Sequence, residues 1–195
     1  MGEGRKRRKR DAALLTLLLL NVRGVSNKGN EWCRKHPDAT NVETWLEEAD
    51  PDIAVLQETK LGPGDTLREH MRLGRASVHL ANRNRHGGGV AVIVKDGTPT
   101  TPRPDLERLL EPTGADDATP ATEAVVLELH RRTRRNVIMA APYLPPHGKA
   151  EYLGHLKRLD KVLETARAER KEVLIVGDLN ARHKELSPNV PQTQS

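Results

Sequence analysis

The feature that most constrains this chain is the tetrapeptide Gly177-Asp178-Leu179-Asn180, which directly follows the apolar run 173–176. A short apolar run bounded by glycine is typical of a buried strand, and a strand places residues two apart on the same face. The spacing therefore predicts that a carboxylate and a carboxamide lie together at the rim of a sheet. Oxygen and amide groups at such a rim suit phosphate chemistry.

Further apolar runs predict one α/β domain with a core of Leu, Val, Ile and Ala. The chain has no Phe, two Trp and two Tyr in 195 residues, so aromatic side chains contribute little to that core. Helical spacing predicts a helix from the capping pair Thr40 and Glu43 to about Ala49, and another over about 149–170. Strands are predicted at 14–21, 53–56, 77–81, 90–95, 123–130, 136–141 and 173–176.

Two strand pairs and one long insertion complete the predicted layout. Residues 77–81 and 90–95 are expected to pair antiparallel around a glycine-rich turn, as are 123–130 and 136–141 around a basic turn. Residues 97–122 contain five Pro and six Thr, which predicts a long surface loop inserted into the domain. Only Asp105 to Glu111 has a helical pattern in that insertion.

The positive charge of the chain is concentrated in its first residues. Residues 5–10 are all basic, and with Glu3 they give residues 1–10 a charge of +5, equal to the net charge of the whole chain. We expect a disordered basic tail at 1–12, the domain at 13–183 and a second disordered tail at 184–195. A solvated arm, nuclear targeting and phosphate-backbone binding all remain open for the basic tail.

Targeting signals and cysteine usage favour an intracellular location. The basic tail and the apolar run after it imitate a secretory signal, but Asp11 interrupts the pattern and no small-residue cleavage site follows. Cys33 is the single cysteine, so no internal disulfide forms and a reducing compartment is favoured. We expect an intracellular protein without a membrane partner, and the basic tail is compatible with the nucleus.

Three predicted strands end on oxygen-bearing side chains, namely Asn21, Glu58 and Asp178 with Asn180. Oxygen ligands suit Mg²⁺ or Mn²⁺, and Mg²⁺ takes one or two carboxylates and keeps several waters. Glu58 is the expected metal ligand, with the Asn21 carbonyl in support. Asp178 is suited to deprotonate water, and Asn180 to donate to a phosphate oxygen. Taken singly, a strand-terminal Asp or Asn is more typical of a turn, which is the alternative for these residues.

Three other patterns are less specific. Cys33 and His36 have the spacing of half a zinc site, without a second pair of suitable spacing. The run 87–89 lacks the Lys-Ser/Thr of a phosphate loop, so no nucleotide cofactor is expected. The turn 131–135 contains four Arg and is either a solvated hairpin tip or a contact for the DNA backbone.

Five segments resemble the endonuclease/exonuclease/phosphatase superfamily, and most closely the apurinic-endonuclease-like domain of non-LTR retrotransposon polyproteins. They occur in the family's order and cover about residues 14–183. The segments are Leu20-Asn21-Val22-Arg23-Gly24, Pro51-Asp52-Ile53-Ala54-Val55-Leu56-Gln57-Glu58-Thr59, Gly87-Gly88-Gly89-Val90-Ala91-Val92, Ala141-Pro142-Tyr143-Leu144-Pro145-Pro146 and Gly177-Asp178-Leu179-Asn180-Ala181.

The resemblance implies a four-layer α/β sandwich of two packed mixed sheets flanked by helices, with a divalent metal at one end of the sheets. It implies that Glu58 is the principal metal ligand and Asn21 its companion. It also implies that Tyr143 contacts the scissile phosphate, that Asp178 activates water, and that Asn180 holds Asp178 and the phosphate. A packed ring with a wet hydroxyl is the alternative for Tyr143.

The chain departs from the family after Asn180. The family pattern continues through further strands to a late Asp and a Ser-Asp-His segment, and nothing after Asn180 matches it. His183 is too close to Asn180 along the chain to be the family's histidine. We therefore expect a carboxy-terminally truncated domain with the last strands missing, inactive or weakly active as an isolated chain.

The resulting functional prediction is a Mg²⁺- or Mn²⁺-dependent DNA endonuclease domain of retrotransposon type. Its expected partners are DNA and a reverse transcriptase in the parent polyprotein. Two alternatives stay open. One is a non-catalytic relic or nucleic-acid-binding module, and the other is a phosphatase of the same superfamily acting on inositol phosphates or lipids.

Overall fold

The structure is a computed structural model that describes residues 15–25, 42–83, 86–113, 120–132, 134–146 and 149–181. Two four-stranded sheets carry the fold. The first has the order β1-β2-β4-β3 and the second the order β5-β6-β7-β8. The strands are β1 Leu17–Asn21, β2 Ile53–Gln57, β3 Ala76–Ala81, β4 Val90–Lys95, β5 Thr100–Pro102, β6 Glu123–Leu129, β7 Val137–Tyr143 and β8 Glu172–Ile175.

Both sheets are mixed. β1 runs parallel to β2, and β7 runs parallel to β8, whereas the remaining neighbours are antiparallel. The helices are α1 Val42–Ala49, α2 Pro104–Glu107 and α3 Lys149–Ala168, with 3₁₀ turns at Leu67–Glu69 and Arg108–Leu110. The predicted sandwich of two mixed sheets flanked by helices is confirmed. None of the helices in the described ranges is long and apolar enough to cross a membrane.

The sheets pack face to face, and each outer face is covered by helices. Ile53 and Val55 of β2 pack in the core between the sheets, while Ala54 and Leu56 face a second core on the outer side of the first sheet. A third core joins α3 to the outer face of the second sheet. A strand buried on both faces has no polar alternation, which is why β2 is visible in the sequence as an uninterrupted apolar run.

The prediction of a surface loop over 97–122 is wrong in part. β5 lies in this segment and pairs with β6, Thr100 opposite Leu129 and Pro102 opposite Leu127. Leu106 and Leu110 are buried. Proline is tolerated in a sheet at an edge strand, where its missing N–H removes no internal hydrogen bond. The Thr- and Pro-rich composition therefore concealed a short edge strand.

Several sequence predictions lie outside the described residues. These are Thr40 of the capping pair, the Cys33 and His36 spacing, His183, and the two tails at 1–12 and 184–195.

Glu128 of β6 is a buried carboxylate surrounded by donors. Its Oε1 accepts hydrogen bonds from Lys171 Nζ and from Asn136 Nδ2 at 2.6 Å, and Arg103 donates to Oε2 at 3.3 Å. The hydrogen bond from Lys171 is the main cause that lowers the pKa of Glu128, against the opposing effect of burial. The carboxylate therefore stabilises the fold in its ionised form.

Replacing Glu128 by Gln is expected to lower the free energy of unfolding by about 2 kcal/mol or more at pH 7, because Lys171 then lacks its buried counter-charge, whereas Arg103 keeps its ion pairs with Asp105 and Glu169. A carboxyl whose folded pKa is depressed stabilises the protein above its unfolded pKa, and that contribution is lost as pH falls through the folded value. The difference from wild type, measured by urea unfolding, should therefore shrink below about pH 4. Glu164→Gln on the exposed face of α3 is the control, expected to change stability by less than about 0.5 kcal/mol. An equal deficit at pH 7 and pH 3 would contradict this explanation.

Candidate active site

The ends of β1, β2 and β8 meet at one end of the sandwich. β1 and β2 are parallel, so Asn21 and Glu58 leave the first sheet at the same edge. The Asn21 Nδ2 atom donates to Glu58 Oε1 at 2.8 Å and to Asp178 Oδ2 at 3.2 Å. One amide thus reaches two carboxylates that belong to different sheets.

Gly177 allows Asp178 to lie beside Tyr143. An isolated parallel bridge pairs Tyr143 with Asp178, and the Leu144 N–H donates to the Asp178 carbonyl at 2.9 Å. A Cβ atom on Gly177 would lie only 1.9 Å from the carbonyl oxygen of Pro142. The close approach of the chain after β8 to the end of β7 therefore depends on glycine at this position.

Asn180 orients Asp178 through its backbone. The Asn180 N–H donates to Asp178 Oδ1 at 3.0 Å, whereas the Asn180 Nδ2 donates to the Leu144 carbonyl at 2.7 Å. The Asn180 backbone thus contacts Asp178, while the Asn180 side chain is engaged with the backbone of Leu144. With the bond from Asn21, each oxygen of Asp178 receives one donor.

Backbone strain is concentrated at this end of the sandwich. Among the described residues, six that are not glycine have positive φ. Asp50 and Arg170 follow the ends of α1 and α3, where a left-handed residue is a normal helix cap. The other four flank the site: Arg23, Glu58, Lys60 and Asn180. Such residues cost of order 1–3 kcal/mol each, so the surrounding structure must hold the backbone in this conformation.

Tyr143 is a buried phenol in a carboxylate-rich environment. Burial first, and then the negative charges of Glu58, Asp178 and Glu123, raise its pKa to about 12, with Arg83 acting in the opposite direction. The ring packs in the core between the sheets. The hydroxyl therefore remains protonated at neutral pH and is available as a hydrogen-bond donor.

The oxygen groups at this end of the sandwich suit a magnesium-like ion that keeps several waters, rather than a metal held entirely by protein ligands. No group of three or more His, Cys, Asp or Glu residues able to hold a metal occurs in the described part of the chain. Mg²⁺ is usually held by one or two carboxylates, with waters and substrate phosphate oxygens completing its six ligands. Glu58 supplies one such carboxylate, and the Asn21 side chain lies beside it.

Two residues at this end were missed by the sequence analysis. Arg83 Nη1 donates to Glu123 Oε1 at 3.1 Å, and both side chains influence the pKa of Tyr143. Glu123 is opposite Tyr143 in the β6–β7 pairing, a relation that only the strand register reveals. In the sequence, Glu123 is merely the polar first residue of an apolar run.

The basic turn 131–135 lies at the other end of the sandwich. β6 begins at Glu123, beside the site, and ends at Leu129, before the turn. A seven-residue strand spans about 20 Å. The turn and the candidate site are therefore separated by about the length of this strand.

Two packed mixed sheets that collect polar side chains at one end define a class of α/β sandwich proteins. Residues 18–195 match the endonuclease/exonuclease/phosphatase family, so the chain belongs to that family. The superfamily predicted from the five sequence segments is confirmed.

Solved structures share this fold at low sequence identity. TDP2 from D. rerio, complexed with a single-strand DNA product, has a TM-score of 0.56 and 17% identity over 89% of this chain and 64% of its own. The Xenopus laevis APE2 catalytic domain has a TM-score of 0.57 and 15% identity over 88% of this chain and 60% of its own. ANGEL2, a 2′,3′-cyclic phosphatase, has a TM-score of 0.56 and 17% identity over 86% of this chain and 53% of its own. The chain thus spans between 53% and 64% of these solved chains.

Proposed function

We propose that this chain is a metal-dependent phosphodiesterase domain that hydrolyses one strand of DNA, of the type found in retrotransposon polyproteins. The observation that carries the proposal is the Asn21 amide, which joins Glu58 and Asp178 across the two sheets. It brings a candidate metal ligand and a candidate base to the same place. The same proposal places the domain in the nucleus, beside a reverse transcriptase of the parent polyprotein.

Each side chain has a distinct part in the proposed hydrolysis. Asp178, fixed by donors on both oxygens, takes a proton from the attacking water as the water oxygen bonds to phosphorus. The P–O bond to the leaving sugar oxygen then breaks, and that oxygen takes a proton from solvent. The protonated hydroxyl of Tyr143 donates to a phosphate oxygen as negative charge grows there.

Glu58 and Asn21 would hold the metal. When bound, a divalent cation neutralises charge on the phosphate and on the departing oxygen. Asn21 directs its nitrogen at Glu58 and Asp178, and its Oδ1 accepts a bond from the Arg23 N–H at 3.3 Å. Coordination through Oδ1 therefore requires the amide to rotate, which is favourable once a cation replaces its N–H groups. With few protein carboxylates to bind the cation, we expect weak metal affinity and weak activity of the isolated chain.

DNA is the favoured substrate because cationic residues accompany the site. Arg23 and Lys60 lie two residues after Asn21 and Glu58, and Arg83 lies beside Tyr143. Phosphate contacts by Lys and Arg dominate nucleic-acid affinity. The single-strand DNA product bound to TDP2 supports the same substrate class in a protein of this fold.

Glu58→Gln is expected to weaken Mg²⁺ or Mn²⁺ binding by about tenfold or more, because it removes the principal negative ligand without changing side-chain volume. Isothermal titration calorimetry measures the affinity directly. Glu164→Gln, the same substitution on the exposed face of α3, should leave it unchanged. Equal metal affinity of wild type and Glu58→Gln would contradict the assignment of Glu58.

The activity itself is tested by nicking of supercoiled plasmid with Mg²⁺ or Mn²⁺ and with EDTA. Nicking that requires the metal supports the proposal. Metal-independent DNA binding without any nicking would replace it by the nucleic-acid-binding module. Release of inorganic phosphate from inositol phosphates, with intact plasmid, would replace it by the phosphatase.

A further inference from the structure

Glu123 is positioned beside Tyr143 by strand register. The two residues are directly opposite each other in the antiparallel β6–β7 pair, so their side chains share one face of the sheet. Val125, two residues further along β6, lies in the core between the sheets. Glu123 therefore ends this buried face at the candidate site, with its side chain only 10% exposed.

Both carboxylate oxygens of Glu123 have partners that link it to the site. Oε2 accepts the Gly89 N–H at 2.6 Å, and Oε1 accepts a bond from Arg83 Nη1 at 3.1 Å. A Cβ atom on Gly88 would lie 2.4 Å from Oε2, so a larger residue there would displace the Glu123 carboxylate. Gly88 and Gly89 in turn accept backbone bonds from Lys60 and Thr59, the residues that follow Glu58. Glu123 thus connects the second sheet to the segment that carries the candidate metal ligand.

Arg83 retains donors that the described residues do not use. Its single hydrogen bond within the described ranges is made by Nη1, which leaves Nε and Nη2 for a ligand. Its side chain is 38% exposed. Its positive charge acts on the Tyr143 hydroxyl in opposition to three carboxylates. A phosphodiester that approaches these carboxylates gains from a cation at this position.

We propose that Arg83 binds a non-bridging oxygen of the nucleic-acid phosphodiester at the site, and that Glu123 is the residue that positions Arg83. This inference rests on the proposed function and adds a phosphate contact to it. Arginine presents several donors in a fixed plane, so one nitrogen can be held by Glu123 while the others bind phosphate. A lysine ammonium group has no such planar set of donors.

The test is binding of a fluorescein-labelled single-stranded oligonucleotide to the full chain without divalent metal, followed by fluorescence anisotropy across a salt series. Arg83→Met should weaken binding about tenfold and lower the slope of log K against log salt by about 0.7, the value for one phosphate contact on a single strand. Arg132→Met makes the same charge change in the turn at the far end, and should alter affinity less than about twofold. Thermal melting confirms that each variant folds.

The positioning role of Glu123 is tested by a double-mutant cycle. Glu123→Gln should weaken binding about threefold in the wild-type chain and should not weaken it in the Arg83→Met chain, because the residue it positions is then absent. A purely structural carboxylate would weaken binding equally in both.

Several results would overturn the inference. These are an Arg83→Met variant that behaves like Arg132→Met, additive effects in the cycle, or no oligonucleotide binding by the wild-type chain. Failure of the proposed function has a different signature. A chain that binds the oligonucleotide through Arg83 but never nicks DNA with metal keeps the phosphate contact and loses the hydrolysis. A chain that nicks DNA with unchanged KM in Arg83→Met keeps the hydrolysis and loses the contact.

Discussion

Asp178→Ala is expected to reduce metal-dependent nicking by about 10²–10⁴-fold, the contribution typical of a positioned general base. The carboxylate is held by the Asn21 side chain and the Asn180 N–H, one donor on each oxygen. Alanine removes the carboxylate that accepts the proton, and the two donors then lose their acceptor. Weak wild-type activity requires a sensitive assay, so the rate is best measured with a labelled oligonucleotide duplex under excess protein and Mn²⁺.

Two further variants separate chemistry from structure. Asp178→Asn keeps an acceptor for the Asn180 N–H but is a far poorer base, so it should lose nearly as much activity as Asp178→Ala with a smaller loss of stability. Asp160→Ala, an exposed aspartate on α3, should retain wild-type rates. Activity that survives in Asp178→Asn would mean that Asp178 positions its neighbours rather than accepting a proton.

The strands that are buried on both faces were predicted from the sequence. β2 and β4 are buried on both faces, so each stands out as a continuous apolar run. Asn21, Glu58 and Asp178 each end or follow an apolar run, and the structure joins them through the Asn21 amide. The position of a polar residue at the end of an apolar run can be recognised without knowing which sheet the strand joins.

The parts that escaped prediction depend on pairing between distant segments. β5 has a Thr- and Pro-rich composition that is typical of loops, and only its pairing with β6 makes it a strand. Glu123 and Arg83 are 40 residues apart, and neither follows a recognisable motif. Their link to Tyr143 comes from the β6–β7 register, where a shift of one residue would turn Glu123 to the opposite face. Periodicity in a single sequence does not report register.

Gly177→Ala is expected to lower the free energy of unfolding by about 3 kcal/mol or more, because the new Cβ has no free space. It would lie 1.9 Å from the Pro142 carbonyl oxygen and 3.0 Å from the carbonyl carbon, both of them backbone atoms. Pro142 belongs to β7, which pairs along its whole length with β6, so it cannot yield without disturbing the second sheet. Urea unfolding gives the measurement.

Two other glycines serve as controls that distinguish steric crowding from backbone strain. Gly87 has open space where the methyl group of an alanine would lie and no positive φ, so Gly87→Ala should change stability by less than about 0.5 kcal/mol. Gly64 also has open space but a φ of +85°, so Gly64→Ala should cost about 1 kcal/mol through backbone strain alone. If Gly177→Ala cost no more than Gly64→Ala, the chain after β8 would be able to move away from β7. Asp178 would then be held beside Tyr143 by the Asn21 and Asn180 hydrogen bonds rather than by close backbone packing, and the site would owe its geometry to polar contacts.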